Sequence, residues 1–222
     1  MPLEVSTKDC AQLSEAELAD IATLCSESPS SYALERLTEE ATKWVLVTQV
    51  HEGALLRAYS FATLERIGGT PAVILGVAGV KRNAKRDLSL RTLMADNYRR
   101  ALMAFPDEDV LVGTRMVGAD GFEAFKALVD INPRPNHKSS GEERAWGRRL
   151  AKRFGMDTGY DDRSFVARGN GEYPLVMDHE SAKPDKIDPE VAAFFKPLKP
   201  KGGDCLVGFG WMMAEELLKY NG

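Results

Sequence analysis

Ala72-Val-Ile-Leu-Gly-Val-Ala-Gly-Val80 runs without a break into Lys81-Arg-Asn-Ala-Lys-Arg86, and Asp87 opens a helical pattern that lasts to about Phe105. The first nine residues are apolar on both faces, as a central, doubly covered strand requires. In the third segment Leu90, Leu93, Met94, Tyr98, Ala101, Leu102 and Phe105 recur at helical spacing, a stripe suited to packing on a sheet. Between them sit four basic residues, Lys81, Arg82, Lys85 and Arg86. A strand that feeds a helix through such a turn gathers free backbone N–H groups, the positive helix end and basic side chains at one point, a place suited to phosphate. A solvated basic turn is the competing reading.

Upstream, Ser14 and Glu17 have the spacing of a capping box, and Leu18, Ile21, Ala22 and Cys25 form the apolar stripe of the helix that follows. Residues 26–31 are turn-rich and end that helix, and a second short helix is expected over 32–42. Residues 44–50 and 55–66 read as strands, turned by His51-Glu-Gly53 and then Gly68-Gly69 into the quoted strand, which predicts an antiparallel meander. Arg57, Tyr59, Phe61, Thr63 and Glu65 share one face of the middle strand. Downstream, Pro106 and Asp107 stop the long helix. Val110-Leu-Val112 is then expected to pair parallel with the quoted strand, because a helix crosses back to it. A short helix is expected over 121–129, a basic amphipathic helix over 142–154, and strands over 164–168 and 175–177. Residues 182–203, rich in Pro and Lys, read as an extended arm, and residues 205–220 as an apolar segment with a helix carrying Trp211, Leu217 and Leu218.

The 222 residues, 44% hydrophobic and 28% charged, describe a globular chain with room for a sizeable core. A net charge of −4 supplies no general attraction to nucleic acid or anionic membrane and argues against both as partners. Cys10, Cys25 and Cys205 are far apart and form no ligand spacing with His51, His137 and His179, so neither a disulfide framework nor a metal is expected. A reducing cytoplasm is the expected compartment, since the N-terminus has no signal-peptide pattern and no apolar run reaches membrane-spanning length.

The order helix, helix, three-stranded meander, basic turn, helix, strand, helix, strands resembles the GNAT acyltransferase superfamily over about residues 3–177. The residues that carry the resemblance are the strand Ile74 to Val80, the turn Lys81 to Arg86, the helix Leu88 to Leu102 and the strand–helix pair Asp109 to Leu128. It implies an α/β (α+β) fold with a mixed, mostly antiparallel sheet flanked by helices, splayed between its fourth and fifth strands. It divides the chain into an acyltransferase domain, 1–178, and an extension, 179–222. Acetyl-CoA or another acyl-CoA would lie in the splay, its pantetheine arm against the backbone of Val77, Gly79 and Val80. Its pyrophosphate would rest on Lys85, Arg86, Asp87, Leu88, Ser89 and Leu90. The acceptor, a small-molecule or peptide amine, would attack the thioester directly in a ternary complex. The chain departs from the family pattern where glycines normally admit the phosphates: Leu88 and Leu90 stand there. Phe125 occupies the place of the tyrosine that often serves as general acid, and residues 72–80 hold no ionisable group.

Glu65 and Tyr59 are therefore the candidates for proton transfer, with a water as the third, and Arg57, Thr114 and Arg115 the candidates for the acceptor side. A second reading, a GNAT-like fold that has lost catalysis and serves as a binding or regulatory module, draws on the same departures. The basic face Arg144, Arg148, Arg149, Lys152 and Arg153 also favours it, although a solvated face explains that pattern as well. The final helix can fold back on its own domain or dock on another subunit, forming a homodimer; the sequence leaves both open.

Overall fold

A computed structural model of the chain describes residues 1–28 and 32–220. The expected turn over 26–31 lies partly outside those residues, as do the last two of the expected extension. Ser14 caps α1 (Glu15–Cys25) as its spacing predicts: its hydroxyl accepts from the Glu17 amide at 3.3 Å, and the Glu17 carboxylate accepts from the Ser14 amide at 2.9 Å. β1 (Glu4–Asp9) precedes α1, and α2 (Leu34–Ala41) follows it. The meander forms as β2 (Leu46–Glu52), β3 (Leu55–Ile67) and β4 (Thr70–Val80), antiparallel throughout, with Tyr59 opposite both Gln49 and Gly79. Gly53, Gly68 and Gly69 take positive φ at the two hairpin turns, a conformation L-residues adopt with difficulty.

α3 (Arg86–Ala104) crosses over the sheet and delivers β5 (Val110–Met116) parallel to β4. Five further strands follow, β6 (Val129–Asn132), β7 (Tyr160–Asp161), β8 (Val166–Ala167), β9 (Met177–Asp178) and β10 (Cys205–Met212). Among the described residues ten strands share one mixed, mostly antiparallel sheet, in the order β1-β2-β3-β4-β9-β5-β10-β8-β7, with β6 on β10. Helices cover both faces. Leu18, Ile21 and Leu24 of α1, Leu37 of α2 and Leu150 of α4 (Gly141–Arg153) pack with Tyr59, Phe61 and Ile74 on one side. Leu90, Leu93, Met94 and Tyr98 of α3 pack with Ala62, Leu75 and Val80 on the other. This double cover accounts for the unbroken apolar run of β4.

Two expectations need correction. Residues 121–129 do not form a helix: a 3₁₀ turn, Ala119–Phe125, leads into β6. The apolar segment near the C-terminus is chiefly a strand, β10 (Cys205–Met212), which carries Trp211 and runs antiparallel to β5. Only Leu217 lies in the short α6 (Ala214–Leu217), while Leu218 falls in the 3₁₀ turn after it. A strand buried on both faces and a buried helix give the same unbroken apolar run, and periodicity does not separate them. The preceding arm holds α5 (Pro189–Ala193) between two 3₁₀ turns.

β4 and β5 are paired only where Ala72, Val73 and Ile74 face Leu111, Val112 and Gly113. Beyond that point they part. The sheet is thus splayed between its fourth and fifth strands, as the resemblance to the GNAT superfamily implies.

Candidate functional site

Where two strands part, their facing carbonyls lose partners and must find others. The first two carbonyls of β4 past the last pair are served by β5 side chains. The Thr114 hydroxyl donates to the Leu75 carbonyl and the Arg115 guanidinium to the Gly76 carbonyl, each at 2.9 Å. Both side chains are buried, and Arg115 also lies over the Phe154 ring with the Glu40 carboxylate 3.7 Å away. The structure therefore places these two acceptor-side candidates in the crotch of the splay, the Thr114 hydroxyl and one Arg115 nitrogen bonded to backbone and the buried Arg115 Nε without a partner among the described residues.

Farther along, the opening holds a segment of the chain itself. β9 (Met177–Asp178) lies parallel to both neighbours, with Met177 opposite Ala78 of β4 and Met116 of β5, and Asp178 opposite Gly79. The Ala78 amide donates to the Val176 carbonyl at 3.3 Å, and Leu175, Val176 and Met177 are buried. The segment then crosses the basic turn. The Asp178 carboxylate takes two bonds from Arg82, at 3.1 and 3.3 Å, and Glu180 takes one from the same guanidinium at 3.1 Å. Arg86 donates to the Ser181 carbonyl at 3.1 Å and stands 3.5 Å from Glu180. Asp87 accepts from the Ala182 amide at 3.0 Å. Lys81 and Lys85 are paired with Glu27 and Glu52.

The sequence-derived candidates thus fall into separate groups. Val77, Gly79 and Val80 line the buried end of β4, and Arg86 and Asp87 hold residues 180–182. Of the two leucines in the turn-to-helix junction, Leu90 points into the core and Leu88 is exposed. Ser89 is fully buried, with no partner for its hydroxyl among the described residues. Tyr59 lies opposite Gly79 at the open end of the splay, yet it is completely buried, its hydroxyl 3.1 Å from Cys25 Sγ. Burial, with Cys25 beside it, pushes that phenol well above its usual range, so it keeps its proton. Glu65 lies opposite Ala72, at the closed end, and accepts from Arg153 at 2.7 Å. Arg57 donates to Glu52 at 3.0 Å. Tyr59 and Glu65 therefore sit at opposite ends of the β3–β4 pairing.

Sequence reasoning did not single out Asp178, Glu180, Ser181 or His179 as site residues. Asp178 and Glu180 carried a readable signal, since they are acidic residues in a segment whose opposite charge is concentrated at 81–86. His179 carried none, being a lone histidine in a loop. It is buried beside Asp87 and Glu123, and burial pulls it below the usual imidazole range although both carboxylates pull the other way.

No family model matches the sequence, and no curated protein does. Solved structures similar to the chain include N-acyltransferases. The ribosomal-protein-S18-alanine N-acetyltransferase of Escherichia coli has 9% identity over 95% of each chain, with a TM-score of 0.45. An acyl-CoA N-acyltransferase from Pseudomonas aeruginosa has 18% identity over 50% of this chain and 79% of its own, with a TM-score of 0.40. An aminoglycoside N-acetyltransferase in complex with CoA has 11% identity over 50% and 76%, with a TM-score of 0.38. Overlaps this low leave the strand order and the opening of this chain as the grounds for a functional reading. No described helix is long and apolar enough to cross a membrane.

Proposed function

We propose that the chain is an acyl-CoA-dependent N-acyltransferase of GNAT type whose acyl-CoA cleft is held closed by its own residues 175–181. One observation carries the reading: what fills the cleft has the chemistry of the ligand expected there. An extended chain offers β4 a strand partner, as the amides of a pantetheine arm would, and two carboxylates then rest on Arg82 and Arg86, as a pyrophosphate would. A cleft that recognises an extended, amide-bearing arm ending in two anions suits acyl-CoA once the segment withdraws.

In the open form the backbone of Val77, Gly79 and Val80 faces the arm, and Lys85 to Leu90, with Arg82, receives the phosphates. The thioester would lie near the crotch, with Thr114 and Arg115 toward the acceptor, while Arg57, whose carbonyl accepts from the Lys81 amide, lies at the phosphate end. The protein's contribution is to align amine and thioester and to stabilise the developing oxyanion through backbone donors. Tyr59, which keeps its proton, is the candidate donor to the departing thiolate. Glu65, at the far end and held by Arg153, would accept the amine's proton only through water. The second reading, a scaffold without chemistry, is favoured by that separation of Tyr59 from Glu65.

Thermal unfolding with millimolar acetyl-CoA and with free CoA tests the proposal, on the native chain and on the double variant Asp178→Asn, Glu180→Gln. Ligand at a hundred times its Kd stabilises by about 2.7 kcal/mol. We expect a shift that is larger in the variant and lost in Arg86→Glu. No shift in either chain would remove acyl-CoA from the reading. Binding without acyl transfer to any of a panel of amines would favour the scaffold.

A further inference from the structure

Within the closing segment, His179 stands between two carboxylates that come from different elements. Its Nε2 is 3.6 Å from Asp87 Oδ1, on the first turn of α3, and 3.6 Å from Glu123 Oε2, in the 3₁₀ turn after β5. The imidazole side chain is fully shielded from solvent, and neither ring nitrogen has a hydrogen-bond partner among the described residues. Leaving a buried polar group without a partner is costly, so such a group calls for an explanation. Contacts of 3.6 Å are too long for the nitrogen to donate well. They match what a shared ion would require: ligand atoms bound at 2.0–2.2 Å in a tetrahedron lie roughly 3.4 Å apart. The three ligand atoms all fall within 4.8 Å of one another, so a small rotation of one carboxylate closes the set.

We propose that Asp87, Glu123 and His179 bind a divalent transition-metal ion, Zn²⁺ being the best match to one imidazole and two carboxylates. The surrounding contacts orient these ligands as an outer shell would. Ser181, itself buried, donates its hydroxyl to the other Glu123 oxygen at 2.6 Å and its amide to Asp120 at 2.7 Å. The Ala182 amide fixes Asp87. Asp87 and Glu123 also line a cavity of about 390 Å³ that carries Arg91, Lys126, Lys183 and Lys186. The fourth position of the ion opens toward that cavity, where water or a small anion would complete it. Lys126 lies 3.2 Å from the same Glu123 oxygen and competes with the metal for it. Because the ligands come from α3, from the turn after β5 and from the end of β9, the ion would pin residues 176–182 in place. The site does not depend on acyl-CoA being the ligand of the cleft.

The test is calorimetric titration of EDTA-treated full-length protein with ZnCl2, then with MnCl2 and MgCl2. One Zn²⁺ per chain is expected, with Mg²⁺ much weaker. Removing a ligand should cost more than the roughly 10–100-fold that loss of an outer-shell partner costs. His179→Asn and Glu123→Gln should each do so, with far-UV circular dichroism confirming the fold. Asp87→Asn gives the same reading should either of those fail to fold. Lys126→Ala should tighten binding, a response that a zinc site elsewhere on the chain would not show. The long-range ¹⁵N signal of the His179 ring should shift on adding Zn²⁺. Zinc binding that survives in folded His179→Asn, or no binding at tens of micromolar zinc, would overturn the proposal.

Discussion

Asp178→Asn is the perturbation that bears most directly on the closed cleft. Residues 175–177 bury three apolar side chains, together on the order of 5–9 kcal/mol as an upper bound on what holds the segment in place. The Asp178–Arg82 pair adds to that. Its side chains are 14% and 19% exposed, between a buried pair, whose disruption costs 3–5 kcal/mol, and an exposed one worth 0–1. Glu180 still engages Arg82 in the variant, so the loss should be about 1–2 kcal/mol, or roughly 5–30-fold in the population of the opened segment. Hydrogen exchange under native conditions reads this at the Ala78 amide, which is bonded to the Val176 carbonyl. Exchange there should accelerate by that factor, while amides of the β2–β3 pairing around Gln49 and Tyr59 keep their rates. The apparent affinity for acetyl-CoA should rise in proportion, since affinity scales with the fraction of the binding-competent form. An Ala78 rate that stays unchanged, or that rises only together with the β2–β3 amides, would refute a segment that opens locally.

Gly76→Ala places a Cβ 1.9 Å from the buried Trp44 ring, which Glu40 holds by a 2.9 Å bond from the indole nitrogen. The expected loss is about 1–3 kcal/mol, near the upper end, seen as a lower urea midpoint with an unchanged m-value. Burial raises the pKa of Glu143, but the Ser140 amide, His137 and Asn132 outweigh it and hold the carboxyl at about 2. Its folded value is depressed, so its contribution is present above about pH 4.5 and lost as pH falls toward 2. Glu143→Gln should therefore be less stable than the native chain at pH 7, with the difference shrinking in urea melts below pH 4.5. Ser14→Ala removes the α1 cap and should cost about 1 kcal/mol in the same assay.

Elements whose local pattern and tertiary place agree were legible in the sequence. The Ser14–Glu17 box, the two glycine-bearing hairpins and the strand–turn–helix from Ala72 to Ala104 each announce themselves through short-range chemistry. The parallel partner at Val110 followed from the crossover alone. Long-range facts did not follow. Cys205–Met212 reads equally well as a helix because burial on both faces erases alternation. A strand over 175–177 was legible and overlaps β9, but its place in the gap between β4 and β5 was not. Tyr59 and Glu65 share a strand face, and the sequence says so, but which end of β4 opens depends on β5. His179 meets Asp87 and Glu123 only through the path of residues 176–182.

The place of β10 has a consequence for how the molecule is made. Gly208 pairs with Thr114, about ninety residues earlier, and the same strand also gives β6 and β8 their partner. During synthesis, at about 5–20 residues per second, β5 waits several seconds with a long hydrogen-bonding edge open. Open edges of this kind invite pairing with other chains. A nascent chain halted before residue 205 would present the apolar β5 edge to whatever lies nearby, and its rescue would depend on chaperones shielding Val110 to Met116 until β10 emerges.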